Sequence, residues 1–261
     1  STSQYGNYRV GSKVATDAGA KGDLTAGSTT GAIASSAALT SATARVGGGA
    51  ITINGATGSA TVTIGAGATA KKAAEQINGE TGTTGVKASA KTEIDVTSMA
   101  ANTSYKFDVT SDNSTAVTIS FTLGAAVDKD GLASAVNAFN DVASKTGVTA
   151  RVNDGGDGIT LLNANGENIT IANAASGSAS ASIGGQATNI GETARGTGQL
   201  VLDSDKSFSI AAAANNGFFN ESAAGQLQKV SDLDVSSVDA AQRTLAMVDS
   251  ALAAVNSQRA K

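Results

Sequence analysis

The side chains that could do chemistry in this chain carry almost only oxygen. With no His and no Cys among 261 residues, the chain lacks a thiolate nucleophile, an imidazole base and the ligands of ordinary zinc or haem sites. The run 153–158 is rich in the side-chain oxygens that calcium turns use. It occurs once, and Thr160 stands where a calcium β-helix repeat would place Asp. We therefore interpret it as a hairpin turn between strands at 149–152 and 159–162.

Other chemical motifs are equally sparse. Gly47-Gly48-Gly49 lacks the Lys-Ser/Thr of a phosphate-binding loop and is interpreted as a linker. Acidic residues are scattered, without a pair suited to general acid–base work, so the sequence predicts no enzyme, no metal and no cofactor. A net charge of −4 and a pI near 4.8 argue against a nucleic-acid partner. No apolar run approaches the roughly 18 residues of a membrane span.

The elements that position these residues form a diverged internal repeat. In the first copy, alternating strands at 50–55 and 60–64 precede a helix at 69–78 and a strand at 85–90. In the second, strands at 105–109 and 116–123 precede a helix at 128–145 and a strand at 147–150. Gly85-Val86-x-Ala88 and Gly147-Val148-x-Ala150 align the copies. The order strand, strand, helix, strand predicts an α+β fold of two ββαβ units, each helix covering one face of a sheet.

A longer helical pattern follows over 236–260. Its apolar residues recur at alternating spacings of three and four, as in the seam of a coiled coil. The seam residues are Val238, Ala241, Leu245, Val248, Leu252 and Val255. No other segment has a matching heptad, so we expect the seam to pack against a further segment or another molecule. Packing on its own domain is the alternative.

These patterns resemble bacterial flagellin. Residues 248–260, preceded by Leu233-Asp234-Val235-Ser236, resemble the C-terminal inner-domain helix of that family. Ile51-Thr52-Ile53-Asn54-Gly55, the run 73–78 and Gly147-Val148-Thr149-Ala150 resemble its hook-IN motif. The resemblance implies β-rich outer domains built from two hook-IN-like repeats, with a coiled-coil-type helix at the C-terminal end. It further implies a secreted, self-assembling structural subunit of the extracellular flagellar filament, which serves motility.

The resemblance also implies partners. These are other flagellin subunits, an export chaperone and a cap in the full-length protein, and an innate immune receptor that contacts the inner domain. We expect this chain to be a fragment without the terminal polymerisation segments. A hook–filament junction protein and a secreted adhesin or glycan-binding surface protein are the alternatives.

The predicted organisation has five segments. A strand pair at 198–203 and 206–210, over a polar turn at Ser204-Asp205, is predicted to form a hairpin. The segments are an N-terminal outer-domain or linker segment at 1–46, the first hook-IN-like repeat at 47–101, the second at 102–175, a return segment with the hairpin at 176–219, and a C-terminal inner-domain segment at 220–261.

Overall fold

The computed structural model describes residues 6–11, 32–36, 46–174, 176–212, 217–219, 223–224 and 226–229. The helices are α1 (Ala70–Asn78), α2 (Thr81–Thr84), α3 (Ala133–Asp141) and α4 (Ala143–Thr146). The strands are β1 (Gly6–Gly11), β2 (Ala32–Ser36), β3 (Gly49–Asn54), β4 (Ser59–Ile64), β5 (Lys87–Thr97), β6 (Ser104–Thr110), β7 (Val117–Thr122), β8 (Val148–Val152), β9 (Ile159–Asn163), β10 (Ile169–Asn173), β11 (Ala181–Ile183), β12 (Gln186–Thr188), β13 (Thr193–Gly196), β14 (Gln199–Ser204), β15 (Ser209–Ala212), β16 (Ala223–Ala224) and β17 (Gln226–Lys229).

The described strands form three antiparallel sheets. An eight-stranded sheet runs β12-β11-β5-β14-β1-β17, with β9 beside β5 and β8 beside β9. A five-stranded sheet runs β2-β13-β10-β6-β7, and a four-stranded sheet runs β16-β15-β3-β4. The fold is β-rich with few helices, as expected. Within the described ranges, no helix is long and apolar enough to cross a membrane.

Both predicted repeats have the expected element order, with one short helix added to each. The first repeat is β3, β4, α1, α2 and β5; the second repeat is β6, β7, α3, α4 and β8. In β3 and β4 every second residue is buried, as the alternating sequence predicts. Helix α1 begins after Thr69, whose hydroxyl accepts the N–H of Lys72 at 3.1 Å and so caps the first turn. Its buried residues are the predicted apolar face: Ala70, Ala73, Ala74 and Ile77.

The described residues form two hydrophobic cores, one centred on each repeat. The first core joins β3, β4 and α1 to distant residues such as Leu200, Phe208 and Phe218. The second core is built around β6, β7 and α3 and contains all four buried aromatic rings of the second repeat. Strand β5 serves both, because Ala88 and Ala90 pack on the first core while Ile94 and Val96 are buried in the second.

The predicted hairpin at 198–210 is wrong, although its two strands exist. β14 pairs with β5 on one edge and β1 on the other, whereas β15 pairs with β3 in a different sheet. The physical reason is that β14 is a central strand: residues 199–202 are all buried, so both of its faces are covered, and its two edges are taken by β5 and β1. A hairpin does form earlier in the return segment, between β11 and β12 over Gly184-Gly185.

The helix predicted over 128–145 is shorter than expected and interrupted. Residues 124–132 form a turn in which the Asp128 carboxylate accepts the N–H of Gly131 at 2.8 Å. Gly131 lies so close to the Ala126 carbonyl oxygen that an added Cβ would be 1.7 Å from it. The backbone leaves helical geometry again at Val142, with φ −112° and ψ 11°, which separates α3 from α4.

Candidate functional site

The six predicted seam residues, Val238, Ala241, Leu245, Val248, Leu252 and Val255, lie outside the described residues, as does the whole helix predicted at 236–260. The seam therefore stays a prediction. The described part of the chain offers instead a paired structural unit, which consists of the two repeats, the strand they share and the joint between them.

The oxygen-rich run at 153–158 is the predicted hairpin turn between β8 and β9. The side-chain oxygen of Asn153 accepts the N–H groups of Asp157 at 3.1 Å and Gly158 at 3.3 Å. Its amide nitrogen donates to the Asp157 carboxylate at 2.7 Å. These bonds use Asn153 to close the turn. In the described ranges no group of three or more His, Cys, Asp or Glu side chains is placed to hold a metal ion.

Each repeat turns from helix to strand with the same pair of residues. Gly85 (φ 72°) and Gly147 (φ 71°) adopt the left-handed conformation that ends a helix without a Cβ penalty. The preceding threonines are buried, and the hydroxyls of Thr84 and Thr146 each accept the N–H two residues later at 3.1 Å. The glycines differ in surroundings: a Cβ on Gly147 would lie 2.0 Å from the Asp112 carboxylate, whereas on Gly85 the nearest atom would be 3.5 Å away.

An asparagine at the end of each main helix binds both backbone groups of one strand residue. Asn78 donates to the Ala88 carbonyl at 2.9 Å and accepts the Ala88 N–H at 2.7 Å. Asn140 makes the same two bonds with Ala150, at 3.0 and 2.7 Å. The amide thus takes the place that a neighbouring strand would occupy. Unpaired strand edges attract other strands, so these amides protect β5 and β8 at these positions.

The β3–β4 and β6–β7 pairs are hairpins, and the helix of each repeat protects the outer strand of its hairpin, β4 or β7, in a similar way. Gln76 on α1 donates to the Thr63 carbonyl on β4 at 2.8 Å, and Ser134 on α3 donates to the Thr122 carbonyl on β7 at 2.7 Å. Both β4 and β7 are the last strands of their sheets. Each repeat therefore covers part of its own edges with side chains from its own helix.

The outward faces of the two hairpins are lined with hydroxyl groups. Thr52 and Thr61 hydrogen bond across β3 and β4 at 2.8 Å, and Ser104 and Thr122 across β6 and β7 at 2.7 Å. Among the large hydrophobic residues whose burial the structure describes, Ile190 alone is exposed, at 47%. A single exposed apolar side chain is normal on a soluble surface. The outward faces of these two strand pairs are therefore polar at the hydroxyl pairs named above.

The joint between the repeats is built from glycines. The N–H of Lys71, in the first turn of α1, donates to the Gly166 carbonyl at 3.1 Å, and its ammonium group lies 3.8 Å from Glu167. A Cβ on Gly166 would be 2.5 Å from the Ala90 side chain. On Gly198 it would be 2.6 Å from the Ala70 side chain and 3.0 Å from the Gly166 carbonyl. Any larger residue at either glycine would separate α1 from the loop that follows β9.

A buried carboxylate lies on the sheet beside this joint. Glu93 on β5 is 8% exposed and forms ion pairs with Arg151 at 3.0 Å and Lys91 at 3.4 Å. Elsewhere, burial lowers the pKa of Arg195, because desolvation disfavours its charged form. The ion pairs of Glu93 are suited to holding strands in place.

Sequence reasoning missed the strand-capping residues. Asn78 and Asn140 were not singled out, and neither were Thr84 and Thr146. A signal was available, because each residue recurs at the same place before the Gly-Val-x-Ala marks of the two repeats. The recurrence of a polar residue at one position of both copies indicates a structural hydrogen bond.

Comparison with known proteins agrees with this architecture. Residues 50–113 match the family described as the flagellin hook IN motif. The chain is also 28% identical over 211 residues to the B-type flagellin of Pseudomonas aeruginosa, an alignment that covers 74% of this chain. It spans only 41% of the length of that curated relative. Together the two matches confirm that this chain resembles bacterial flagellin.

Proposed function

We propose that this chain is part of a structural subunit of the bacterial flagellar filament. The observation that carries the proposal is the hook IN match over 50–113, followed by a second repeat that has the same element order and the same capping hydrogen bonds. A paired unit held by hydrogen bonds and packing is what a structural protein requires. The similarity to B-type flagellin supports the same reading.

The second repeat is, in this proposal, a hook-IN-like duplicate of the first. The match ends at residue 113, within the loop after β6. Support for the duplicate comes from the paired devices Asn78 and Asn140, Thr84 and Thr146, Gly85 and Gly147. We retain the predicted segment boundaries, 1–46, 47–101, 102–175, 176–219 and 220–261, as part of this proposal.

Within a filament, the repeats would project outward while the helix at 236–260 would pack in the shaft. The polar outward faces and the capped strand edges suit a projection that does not bind its neighbours strand to strand. Burial of the seam residues between helices would then supply part of the assembly energy. A repeated head-to-tail interface that does not close produces a helical polymer.

The location and partners follow from the same proposal. The subunit would be secreted and would assemble outside the cell with other flagellin subunits. In the full-length protein, an export chaperone and a filament cap would be its further partners, together with an innate receptor that contacts the inner domain.

The proposal can be tested by replacing the aligned region of the P. aeruginosa B-type flagellin with this chain. The exchanged protein is then imaged by electron microscopy. We expect filaments from the exchanged protein and no filaments from Leu245→Asp/Leu252→Asp, because two carboxylates would be buried in the seam. The matched control is Gln242→Asp/Asn256→Asp, which adds the same charges off the seam and should leave filaments intact.

Two outcomes would overturn the proposal. An exchanged protein that folds but forms no filaments would argue against a role as a filament subunit. Filaments that survive the seam substitutions would argue that residues 236–260 make no assembly contact. Folding of each variant is checked by circular dichroism before imaging.

A further inference from the structure

Asn-Gly pairs are the most reactive asparagine positions in proteins, because glycine leaves the next peptide nitrogen unhindered. The described ranges contain three: Asn54-Gly55, Asn78-Gly79 and Asn165-Gly166. The structure restrains these three pairs to different degrees, so their reaction rates can be compared within one protein.

Asn78 is the most restrained of the three. Both its side-chain atoms are bonded to Ala88, and the N–H of Gly79 donates to the Glu75 carbonyl at 3.0 Å. Asn54 is exposed, its oxygen accepts the Ser59 hydroxyl at 3.0 Å, and the Gly55 N–H donates to Gly58 at 3.0 Å. Both the amide carbon and the attacking nitrogen are therefore held at these two positions.

Asn165 is the least restrained. It is exposed, its side chain has no hydrogen-bond partner within the described part of the chain, and the N–H of Gly166 makes a longer bond of 3.3 Å to the Asn163 carbonyl. Gly166 itself is buried in the joint, where its carbonyl accepts the N–H of Lys71. An exposed amide without a hydrogen-bond partner among the described residues thus precedes a glycine on which the contact between the repeats depends.

We propose that Asn165-Gly166 is a site of spontaneous deamidation, and that the isoaspartate formed there opens the joint between the two repeats. The inference does not depend on the proposed filament role. It assigns to this turn a chemical modification that accumulates with the age of the protein.

The reaction needs only water and base. Hydroxide removes the proton from the main-chain nitrogen of Gly166, which attacks Cγ of Asn165. The Cγ–Nδ2 bond breaks, and the departing nitrogen takes a proton from water and leaves as ammonia, so that a five-membered succinimide forms and hydroxide is regenerated. Water then opens one of the two ring C–N bonds. Opening at the main-chain carbonyl carbon gives isoaspartate, opening at Cγ gives aspartate, and no atom is oxidised or reduced.

Isoaspartate carries the side-chain Cβ in its main chain and therefore lengthens the backbone just before Gly166. The joint has no room for this, because even a Cβ on Gly166 would lie 2.5 Å from the Ala90 side chain and 3.0 Å from the Lys71 nitrogen. The hydrogen bond between Lys71 and Gly166 should break. The Lys71 N–H reports that break directly, since it lies in the first turn of α1, where N–H groups lack partners within the helix.

The test ages the chain in mildly alkaline buffer, folded and in denaturant, and maps the conversion of amide to acid by peptide mass spectrometry with enzymatic labelling of isoaspartate. Of the three described pairs in the folded protein, we expect Asn165 to convert first and Asn78 roughly tenfold or more slowly, since two hydrogen bonds must be broken at Asn78. In denaturant the three positions should react at similar rates. An Asn165 that converts no faster than Asn78 in the folded protein overturns the site.

The second measurement follows amide exchange of Lys71 by NMR. Aged protein should exchange this N–H faster than fresh protein, while aged Asn165→Gln should not, because the longer side chain forms the ring poorly. Asn165→Asp, measured fresh, is the matched control: it adds the charge without lengthening the backbone and should leave the exchange slow. Converted protein with unchanged Lys71 exchange overturns the effect on the joint.

Discussion

The two repeats share their hydrogen-bonding devices but differ in how their cores are filled. The second repeat packs four aromatic rings within 105–139, where Phe121 has its ring centroid 5.5 Å from that of Tyr105 and 6.3 Å from that of Phe139. The first repeat has an alanine-rich helix and takes large side chains from far along the chain, such as Phe208 and Phe218. Helix capping and strand protection are therefore local properties of the repeat, whereas the core of the first repeat depends on the return segment.

The largest expected effect tests this difference in cores. Phe139→Ala should lower the free energy of unfolding by about 3–5 kcal/mol, because a fully buried ring leaves a cavity among other rings. Ile77→Ala, at the equivalent place on α1, should lower it by about 2–4 kcal/mol, since a smaller side chain is lost. Urea denaturation measures both values.

Hydrogen exchange then locates each loss. Ile77→Ala should speed exchange in β14 and β15, which supply the far side of the first core, whereas Phe139→Ala should act first on β6 and β7. If Phe139→Ala loosened β15 as much as β7, the two cores would not be distinct, and the comparison would fail.

The second prediction uses the paired glycines. Gly85→Ala and Gly147→Ala both place a Cβ on a residue in the left-handed conformation. We expect each substitution to lower the free energy of unfolding by roughly 1–2 kcal/mol for this reason. Gly147→Ala should cost roughly 1–2 kcal/mol more, because its Cβ would displace the Asp112 carboxylate, which accepts the Asn163 amide at 2.9 Å. Thermal and urea unfolding of both variants measure the difference.

A double-mutant cycle sharpens this second test. In a background carrying Asp112→Ala, the carboxylate is gone, so Gly147→Ala should cost no more than Gly85→Ala. A cost that stays high without Asp112 would mean that the backbone, and not the close approach, distinguishes the two glycines.

The smallest effect concerns the feature that the repeats share most closely. Asn140→Ala should lower stability by about 1–3 kcal/mol, because both backbone groups of Ala150 lose their partner. Asn78→Ala should have a similar effect through Ala88. Asn137→Ala, on an exposed position of the same helix, is the control and should stay within about 0.5 kcal/mol. Unequal losses at Asn78 and Asn140 would show that the devices are not equivalent.

The strands and the first helix could be predicted because local rules determine them. Alternation fixed β3, β4, β6 and β7, and the apolar spacing of Ala70, Ala73, Ala74 and Ile77 gave α1 its buried face. The turn at 153–158 was predictable from its Asn, Asp and Gly residues. In each case neighbours in sequence are also neighbours in space.

Strand pairing over long distances could not be predicted. The short polar turn at Ser204-Asp205 favoured a hairpin, but β14 joins β5, more than a hundred positions earlier in the sequence, and the Ser204 hydroxyl donates to the Gly85 carbonyl at 3.1 Å. The sheet that a strand joins depends on which sheet edges are unpaired elsewhere in the fold. The local sequence of the strand contains no information about those edges. Asn78 and Asn140 did carry a signal, because they recur at one position of both repeats, but an Asn near a helix end has several ordinary uses, so the recurrence alone did not identify the capping bonds.

Strand β5 has a mechanical consequence. Its residues 87–91 pair with β14 and its residues 92–96 pair with β9, so one uninterrupted stretch of backbone is bonded to both halves of the molecule. A tensile force along this strand that separates the repeats would load those hydrogen bonds in shear. Many of the bonds would then bear the force at the same time, and they would not break one after another. The joined repeats should therefore resist tension as a single stiff element, a property useful to any protein exposed to flow.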